Sequence, residues 1–345
     1  MGGRAQLVAG AARVLTYIVP FRRWRAEPVG ELAAYLRGVA RVADVIVVDG
    51  SAPELFAAHA AAFEGGVHTA AGHGVRHVPL DPSRQGRSGK VNGVLTGVGL
   101  ARSELLVLAD DDVRYDDAGL DRMAALLAGA DLVRPQNHFS PLPWHARWDT
   151  ARTLLNRAVA ADYPGTLGVR RAALARTGGY DADVLFENLE LIRTVQAAGG
   201  RVRHAPELFV RRVPPTIGQF VGQRVRQAYD STATPVRLLL ELSVVPLLCW
   251  AVVRRQWRTV GKAAGALVLI AERGRCRAGG AAVFPASSSL LAPLWVLERG
   301  VCSWLALGQR RRHGGVRYAG TTFARAATPR RALRRRFAAA TVAGR

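Results

Sequence analysis

The densest concentration of potential chemistry in the sequence is a run of three carboxylates, Asp110–Asp112, which directly follows the apolar segment Glu104–Ala109. Such a segment is typical of a buried β-strand, so this acidic run is expected at a strand end. Crowded like charges repel one another unless a cation lies among them. Carboxylate oxygens suit Mg²⁺ or Mn²⁺, and either metal could then hold a diphosphate. A solvated turn is the alternative interpretation.

A second acidic position, Asp49, ends another apolar segment. Strand and helix signals alternate along the first 230 residues. The strand signals are Val14–Val19, which Pro20 is expected to stop, Asp44–Val48, Val75–Leu80 and Glu104–Ala109, and the helix signals are Val29–Val42, Leu55–Phe63 and Gly89–Leu100. This alternation predicts an α/β fold with a doubly wound, mostly parallel sheet. Ligands of such sheets bind beyond the carboxyl ends of the strands, where Asp49 and the acidic run would lie.

Several motifs of other enzyme classes do not occur. No GxGxxG follows the first predicted strand, which argues against a dinucleotide-binding dehydrogenase, and the chain has no P-loop, HExxH or GxSxG motif. His73 and His77 are four residues apart, but they lie in a glycine-flanked loop, so metal ligation by histidine is not favoured. Cys249, Cys276 and Cys302 show no CxxC spacing, which favours reduced thiols in a cytosolic setting.

The charge of the chain is unusual. Its net charge is +22, while 49% hydrophobic and 21% charged residues are ordinary for a folded protein and exclude wholesale disorder. Residues 309–345 contain eleven Arg and no acid, which is half of the excess. Such a tail typically contacts phosphates of nucleic acid or of anionic lipids. The alternative is a compositional preference for Arg, since only Lys90 and Lys262 are lysine.

The sequence becomes more apolar after Asp230. The stretch Val236–Val253 is close to the length that spans a bilayer, whereas Ala281–Gly308 carries Glu298 and Arg299 in its middle. The second stretch could form two half-segments, an interfacial helix or a functional span, and a buried helical hairpin is the alternative for the region. The short apolar stretch Met1–Val19 does not fit a cleaved signal peptide.

Basic residues follow both apolar stretches, at Arg254, Arg255 and Arg258 and again at 310–312. Positive flanks remain cytoplasmic, so the body and the tail are expected to share the cytosolic side of the cell membrane. An even number of crossings, or interfacial insertion without crossing, is then required.

The order of several short motifs resembles family 2 glycosyltransferases, and within them ceramide-glucosyltransferase-like and hopanoid-glycosylating members. The motifs are "YIVPFRR", "DVIVVDGSAPE", "GRSGKVNGVLTG", "ELLVLADDDV", "PGTLGVRRAALARTGGYDADVLFENLEL" and "PELFVRRVPPTIGQFVGQRVRQAYD". The resemblance covers roughly residues 13–230 and implies a GT-A-type sheet followed by apolar, membrane-associated helices.

The resemblance also implies roles for individual residues. In the donor site, Asp49 would bind the base or ribose, Lys90 would lie near the phosphates, and Asp110 would lie near the ribose and the sugar. Asp110 and Asp112 would form the Asp-x-Asp pair that binds Mn²⁺ or Mg²⁺, with Asp112 the more direct ligand. Gln223 and Arg226, which match the QxxRW element, would close over the diphosphate, a group that a guanidinium pairs with well.

Two positions depart from the family pattern. The acceptor-base motif reads Glu187-Asn188, and because Asn cannot accept a proton, Glu187 or else Glu190 would have to act as the catalytic base. Apolar neighbours could raise the pKa of Glu187 toward the working range of a base. Gln227 stands where the family usually has Trp, which argues against processive polymerisation. Both departures leave open an altered or inactive member.

An aromatic stretch follows the acidic run, on the side where such folds bind the acceptor. Trp144 and Trp148 could share a helical face and stack on a sugar or a lipid, or they could belong to the core. The resulting hypothesis is a metal-dependent, inverting glycosyltransferase that moves a sugar from a nucleotide-diphospho-sugar to a lipid or membrane-proximal acceptor. The alternatives are a non-catalytic membrane protein that retains the fold and a nucleic-acid-binding protein that uses its tail.

The predicted organisation has three parts. A catalytic domain would occupy residues 1–230, a membrane-associated helical region would occupy residues 231–309, and a flexible basic tail would occupy residues 310–345.

Overall fold

The computed structural model describes residues 15–64 and 74–343, so residues 1–14 and His73 lie outside the description. Within these residues the centre of the molecule is an eight-stranded sheet, whose order is β3-β2-β1-β4-β7-β6-β8-β5. Its strands are β1 (Leu15–Phe21), β2 (Asp44–Asp49), β3 (Val75–Pro79), β4 (Leu105–Ala109), β5 (Val113–Arg114), β6 (Leu132–Phe139), β7 (Thr166–Arg170) and β8 (Val202–Arg212).

Helices connect these strands and continue after the last one. The helices that accompany the sheet are α1 (Gly30–Val39), α2 (Pro53–Glu64), α3 (Gly89–Leu100), α4 (Asp117–Leu127), α5 (Trp144–Val159), α6 (Arg171–Thr177), α7 (Glu187–Ala197) and α8 (Ile217–Ala228). The C-terminal elements are α9 (Pro235–Val253), α10 (Trp257–Cys276), α11 (Ala286–Leu290), α12 (Ala292–His313), the hairpin strands β9 (Val316–Tyr318) and β10 (Thr321–Phe323), and α13 (Arg330–Ala343).

The sheet is mostly parallel, which confirms the predicted fold class. Strands β3, β2, β1 and β4 pair in parallel, and so do β6 and β8. Strand β7 runs antiparallel to both β4 and β6, and the short β5 runs antiparallel to β8. The parallel half places the ends of β1, β2 and β4 at one edge, where ligands of such sheets bind.

The predicted elements up to Ala109 all occur with the predicted type, but one boundary is wrong. Pro20 does not stop β1; it pairs with Val48, and the strand continues to Phe21. Proline cannot donate a ladder hydrogen bond. The pairing of β1 with β4 ends at Ile18, so Pro20 lies beyond the part of the strand that is bonded on both sides.

Alternation along the strands gives the sheet two apolar faces. Tyr17 and Val19 belong to the core on one face, whereas Ile18 belongs to the core on the other. Helix α3 packs closely on the second face, because a Cβ atom at Gly97 would lie 2.5 Å from Ile18 Cγ2. Nearer the N-terminus of α3, a Cβ atom at Gly93 would lie 3.0 Å from Pro20 Cβ, so the helix approaches β1 at both positions.

The C-terminal helices pack on the body of the protein and on one another. In α10, a Cβ atom at Gly274 would lie 1.9 Å from the Leu154 carbonyl oxygen of α5, so the two backbones are in direct contact. In α12, Glu298 pairs with Arg224 at 2.5 Å, and Arg299 Nη1 donates to the Gln227 carbonyl at 2.6 Å. The charges in the middle of the second apolar stretch therefore face the protein.

Among the described helices, α9 is long and apolar enough to cross a bilayer. Its apolar stretch has a mean hydropathy of 2.0, and only 11% of that stretch is buried inside the protein. Helix α10 is shorter in its apolar part, and residues 281–308 are divided between α11 and α12. The number of true crossings stays a prediction.

The described residues 310–343 of the predicted tail form the end of α12, the β9–β10 hairpin and α13, and the flexibility of the tail stays a prediction. Val316 and Phe323 are buried in a cluster with Tyr229, and this apolar contact anchors the segment despite its arginines. Leu185 N and Phe186 N donate to the carbonyls of Arg325 and Ala326 at 3.1 and 3.0 Å. The boundaries at 230 and 309 stay predictions.

Candidate functional site

The carboxyl ends of β1, β2 and β4 bring basic and acidic side chains together at one edge of the sheet. Arg22 and Arg23 follow β1, Asp49 ends β2, and the acidic run follows β4. The loop after β1 is tied to the loop after β2, because Arg23 N donates to Ser51 Oγ at 2.8 Å.

Each carboxylate of the acidic run is paired with a basic side chain. Asp110 contacts Lys90, Asp111 lies 2.7 Å from Arg23 Nη1, and Asp112 lies 2.5 Å from Arg212 Nη2. The cations that lie among the three carboxylates are therefore side chains of this chain. Their partners come from three distant segments, which sequence proximity does not reveal.

Lys90 lies in the first turn of α3, which Ser88 caps, and it bridges two acids. Its Nζ contacts Asp110 Oδ1 and lies 2.5 Å from Glu187 Oε1 at the start of α7. Burial alone would lower the pKa of Lys90, but Asp110 and Glu187 raise it well above its ordinary value. Lys90 is therefore a fixed positive charge between the acidic run and Glu187.

Arg212, the last residue of β8, holds the other end of the acidic run. Its Nε donates to Asp112 Oδ1 at 3.0 Å, and its Nη2 lies 3.5 Å from Asp110 Oδ2. Burial alone would lower the pKa of Arg212, and the two carboxylates raise it. The pairing is a charge-assisted fork of the kind that guanidinium groups form.

Gly165 leaves the space that Arg212 and Asp110 occupy. A Cβ atom at this position would lie 2.8 Å from both Arg212 Cζ and Asp110 Oδ2. The backbone here is also held, since Gly165 N donates to Asn137 Oδ1 at 2.7 Å and its carbonyl accepts from Asp110 N. The site is thus built around the guanidinium.

Asp49 is buried, with 2% of its surface exposed, and both of its carboxylate oxygens are engaged. One accepts from Ser51 N, and the other contacts His59 Nδ1 and His77 Nε2 at 2.8 and 3.1 Å. Burial raises its pKa, but hydrogen bonds from His77, Ser51 and His59 outweigh burial and hold the pKa below its ordinary value. The predicted direct contact with a nucleotide is not supported by this burial, and Asp49 instead organises the loop that carries Ser51.

The predicted metal pair, Asp110 and Asp112, does not fit a divalent ion as it is arranged. Their carboxylates already pair with Lys90 and Arg212, and a metal would have to displace the guanidinium. In residues 15–64 and 74–343, no group of three His, Cys, Asp or Glu side chains could hold a metal ion. At the predicted Asp-x-Asp pair, the positive charge therefore comes from Lys90 and Arg212.

The two candidate bases differ sharply. Glu187 faces the site and pairs with Lys90, so it does not lie in the apolar setting that its sequence neighbours suggest. Glu190 is fully buried, and its Oε2 accepts from Thr328 N at 2.6 Å, so the geometry favours a structural role, and its assignment as the base stays a prediction. Burial raises the pKa of Glu190 despite the bonds from Thr328. Asn188 donates to the Pro164 carbonyl and positions the loop before Gly165.

The predicted QxxRW residues lie on α8 and contact other partners. The Arg226 guanidinium stacks on Tyr318 of the hairpin, 4.3 Å from the ring centroid, and Gln223 accepts from Gln227 Nε2 at 3.4 Å. In the part of the chain that the structure describes, neither residue is brought into contact with the acidic run. Their closure over a diphosphate stays a prediction.

The two tryptophans predicted to bind the acceptor differ in exposure and in their contacts. Trp144 is 58% exposed and meets His145 and Phe220 edge-on. Trp148 packs against a core cluster, and its Nε1 donates to Glu298 Oε2 at 2.5 Å, which is a structural role. Trp144 alone remains available to an acceptor.

Sequence reasoning missed Arg23 and Arg212 as partners of the acidic run, and Gly165 as the space that admits them. A usable signal existed for the first two, since paired arginines end both apolar strands, in "VPFRR" and in "LFVRRV". No local pattern distinguishes Gly165 from the other glycines, because its role depends on side chains far away in sequence.

No protein-family model matches the chain, and no curated protein is a significant match. Among solved structures, it is similar to the mannosyltransferase PcManGT from Pyrobaculum calidifontis in complex with GDP-Man and Mn²⁺, with 17% identity, a TM-score of 0.47 and coverage of 95% of this chain and 80% of that chain. It is also similar to a mycobacterial protein, with 15% identity, a TM-score of 0.42 and coverage of 63% and 73%.

Staphylococcus aureus TarS is a third similar structure, with 13% identity, a TM-score of 0.39 and coverage of 63% of this chain and 40% of that chain. At these identities and TM-scores, the likeness does not identify the activity of this chain. The activity has to be argued from the site.

Proposed function

We propose that the chain is a glycosyltransferase that transfers a sugar from a nucleotide-diphospho-sugar to a lipid or membrane-proximal acceptor, with inversion at the anomeric carbon. The observation that carries the proposal is the bridge formed by Lys90 between Asp110, at the end of β4, and Glu187, at the start of α7. Through this bridge, Lys90 connects Asp110, where the donor would bind, with Glu187, which would face the acceptor.

The donor half of the proposal rests on charge at the sheet edge. Lys90, Arg23 and Arg212 surround the acidic run, and the side chains of Lys90 and Arg212 remain 28% and 22% exposed. Fixed positive charge at a partly dry site stabilises the negative charge that develops on a leaving diphosphate. The basic groups lie at the strand ends where α/β sheets bind nucleotides.

The acceptor half rests on Glu187. Its carboxylate is paired with Lys90 at 2.5 Å and keeps 18% of its side chain exposed, so it can reach an acceptor hydroxyl. General-base removal of the hydroxyl proton during attack at the anomeric carbon would give a single displacement and hence inversion. The exposed ring of Trp144 offers a surface for an acceptor.

The membrane-proximal acceptor is supported by an apolar helix face, which we define by the exposed large side chains of α9, α10 and α12. These three helices pack against one another. The face comprises Val236, Leu239, Leu240, Leu247, Trp250, Val252, Val253, Trp257, Leu269, Ile270, Leu294, Val301, Trp304 and Leu305. Exposed apolar area of this extent is typical of a membrane or protein contact.

The turn between α9 and α10 favours a membrane. Trp250 and Trp257 are exposed beside Arg254, Arg255 and Arg258, and aromatic rings next to basic groups are typical of a membrane interface with anionic lipids. The basic flanks favour a body on the cytoplasmic side of the cell membrane, and we include this location in the proposal.

The experiment that tests the proposal is sugar transfer from labelled UDP-, GDP- and dTDP-sugars to total membrane lipid, followed by extraction and chromatography. The wild type should label a lipid with at least one donor. Glu187→Gln should lower turnover by about 10²–10⁴-fold with donor affinity unchanged, because general-base assistance has that magnitude. Glu207→Gln, at an exposed position of β8, is the matched control and should turn over normally. Absence of transfer from every donor, or normal turnover by Glu187→Gln, would contradict the proposal.

A further inference from the structure

Arg212 occupies the place at which an Asp-x-Asp pair would otherwise present its oxygens. Its Nε and Nη2 reach both oxygens of Asp112 at 3.0 and 2.5 Å, and Nη2 also approaches Asp110. Each of these two carboxylates already has a cationic partner from the chain, so the repulsion between Asp110 and Asp112 is relieved without a divalent cation.

The guanidinium is held in place from several sides. Arg212 pairs in register with Val113 of β5 and with Phe139 of β6. On the next residue, Val213 N donates to the Asp112 carbonyl at 2.8 Å. Gly165 supplies the space, since even a methyl group there would collide with Arg212 Cζ. The strand pairs thus fix the backbone of Arg212, while Gly165 leaves the space in which its guanidinium meets Asp110 and Asp112.

The same two cations keep hydrogen-bonding capacity for a ligand. A guanidinium has five N–H donors and an ammonium has three. In the described part of the chain, the acidic partners of Arg212 take Nε and Nη2, and those of Lys90 are Asp110 and Glu187. Arg212 Nη1 and one Lys90 N–H are left to bind an anion, and guanidinium groups match phosphate oxygens particularly well.

We infer that Arg212, together with Lys90, binds the diphosphate of the nucleotide directly and takes the place of the divalent metal. This inference rests on the proposed function and deepens it, because it names the groups that hold the leaving diphosphate. It replaces the metal-dependent donor site expected from the Asp-x-Asp spacing.

The test measures binding of UDP, GDP and dTDP to the full chain by titration calorimetry, once with excess EDTA and once with Mn²⁺. At least one nucleotide should bind, with a Kd that differs by less than about threefold between the two conditions, which is below 1 kcal/mol. A Kd more than about tenfold weaker in EDTA would overturn the inference and leave the proposed function standing. Binding of no nucleotide in either condition would overturn both.

Variants of Arg212 supply a second measurement. Arg212→Gln should weaken nucleotide binding in EDTA by about 10–100-fold, the magnitude of a lost charge-assisted hydrogen bond. Arg212→Lys should retain part of the affinity, and added Mn²⁺ should partly rescue Arg212→Gln by binding the uncovered carboxylates. The neighbouring Arg211, which donates to the Ser140 carbonyl, provides the control: Arg211→Gln should bind like the wild type.

Far-ultraviolet circular dichroism and thermal melting establish that each variant is folded. Equal affinity of Arg212→Gln and the wild type in EDTA would overturn the assignment of Arg212. If Arg212→Gln does not fold, the comparison of EDTA with Mn²⁺ in the wild type decides the inference by itself.

Discussion

At the residue scale, the function of the site depends on which carboxylates face the ligand. Glu187 and Glu190 are three residues apart in α7, and the sequence offers both as bases. The fold separates them, because Glu187 reaches Lys90 whereas Glu190 turns inward and accepts from Thr328 N. One carboxylate is thus suited to chemistry, and the other attaches the C-terminal segment.

Glu190→Gln is expected to leave turnover within a few-fold of the wild type and to flatten the dependence of stability on pH. Burial raises the folded-state pKa of Glu190 above its ordinary value of 4.5. The folded chain therefore holds the proton more tightly, so this contribution to stability is present below pH 4.5 and is lost as pH rises through the raised pKa. Melting temperatures of both proteins, measured from below the ordinary pKa of Glu up to neutral pH, check this.

The neutral glutamine retains an oxygen that can accept from Thr328 N, so the variant should melt no lower than the wild type at neutral pH. A large loss of turnover would show that Glu190 belongs to the catalytic machinery after all.

At the residue scale, sequence alone identified most of the site but not its pairing. Asp110, Asp112, Lys90 and Glu187 were found because motifs order them along the chain, and the structure brings them together. The partners Arg23 and Arg212 were not found, because a strand register and a close backbone approach at Gly165 place them. The paired arginines that follow β1 and end β8 mark these residues in the sequence, but only the long-range packing shows that they meet the acidic run.

At the element scale, α3 determines where Lys90 lies. The helix is rich in glycine, and a Cβ atom at Gly97 would lie 2.5 Å from Ile18 Cγ2 and 3.4 Å from Val48 Cγ2. The sequence predicts a helix over Gly89–Leu100 that several glycines interrupt. The structure assigns it a packing role, since small residues let α3 lie against β1 and β2.

Gly97→Ala should destabilise the protein by about 1–3 kcal/mol, the usual cost of overpacking a tight interface. Gly99, in the same helix, has nothing within 4 Å of its Cβ position. Gly99→Ala should therefore stabilise the protein by roughly 0.5–1 kcal/mol, because alanine favours a helix over glycine. Urea denaturation of both variants measures the difference, and equal stabilities would contradict the close packing of α3 on the sheet.

Elements were predicted best where the hydrophobic period was clear. All of the strands and helices proposed before the acidic run exist, and their boundaries agree within a few residues. The C-terminal segment was predicted less well, because its arginines obscure the few apolar residues, such as Val316 and Phe323, that fix it to Tyr229. Charge composition predicts solvation but does not identify such anchors.

At the scale of the whole molecule, a polar site and an apolar helix face belong to one compact unit. Helix α10 touches α5 at Gly274, and α12 contacts α8 through Glu298 and Arg224. The charges that complicate the hydropathy pattern of residues 281–308 are used for these internal contacts. The apolar side chains that remain exposed are therefore free for a membrane.

Binding to vesicles that contain anionic phosphatidylglycerol should depend on the turn between α9 and α10. The double variant Arg254→Glu, Arg255→Glu should weaken binding by at least about tenfold, because each basic group near an anionic surface contributes about 1 kcal/mol. Arg41→Glu, Arg102→Glu makes the same change in net charge at exposed positions of the catalytic region and is the matched control. Sedimentation with vesicles measures both. Equal weakening would show that binding follows net charge and not the turn.

The central claim for the whole molecule is that a nucleotide-diphospho-sugar binds at the sheet edge beside Lys90. The sequence contains one other lysine, Lys262, which serves as the matched control. The most direct measurement is titration calorimetry of UDP-, GDP- and dTDP-sugars with the wild type, Lys90→Met and Lys262→Met. At least one donor should bind the wild type, Lys90→Met should bind it about 10–100-fold more weakly, and Lys262→Met should bind it equally well. Binding of no donor, or equal affinities for the wild type and a folded Lys90→Met, would contradict the claim.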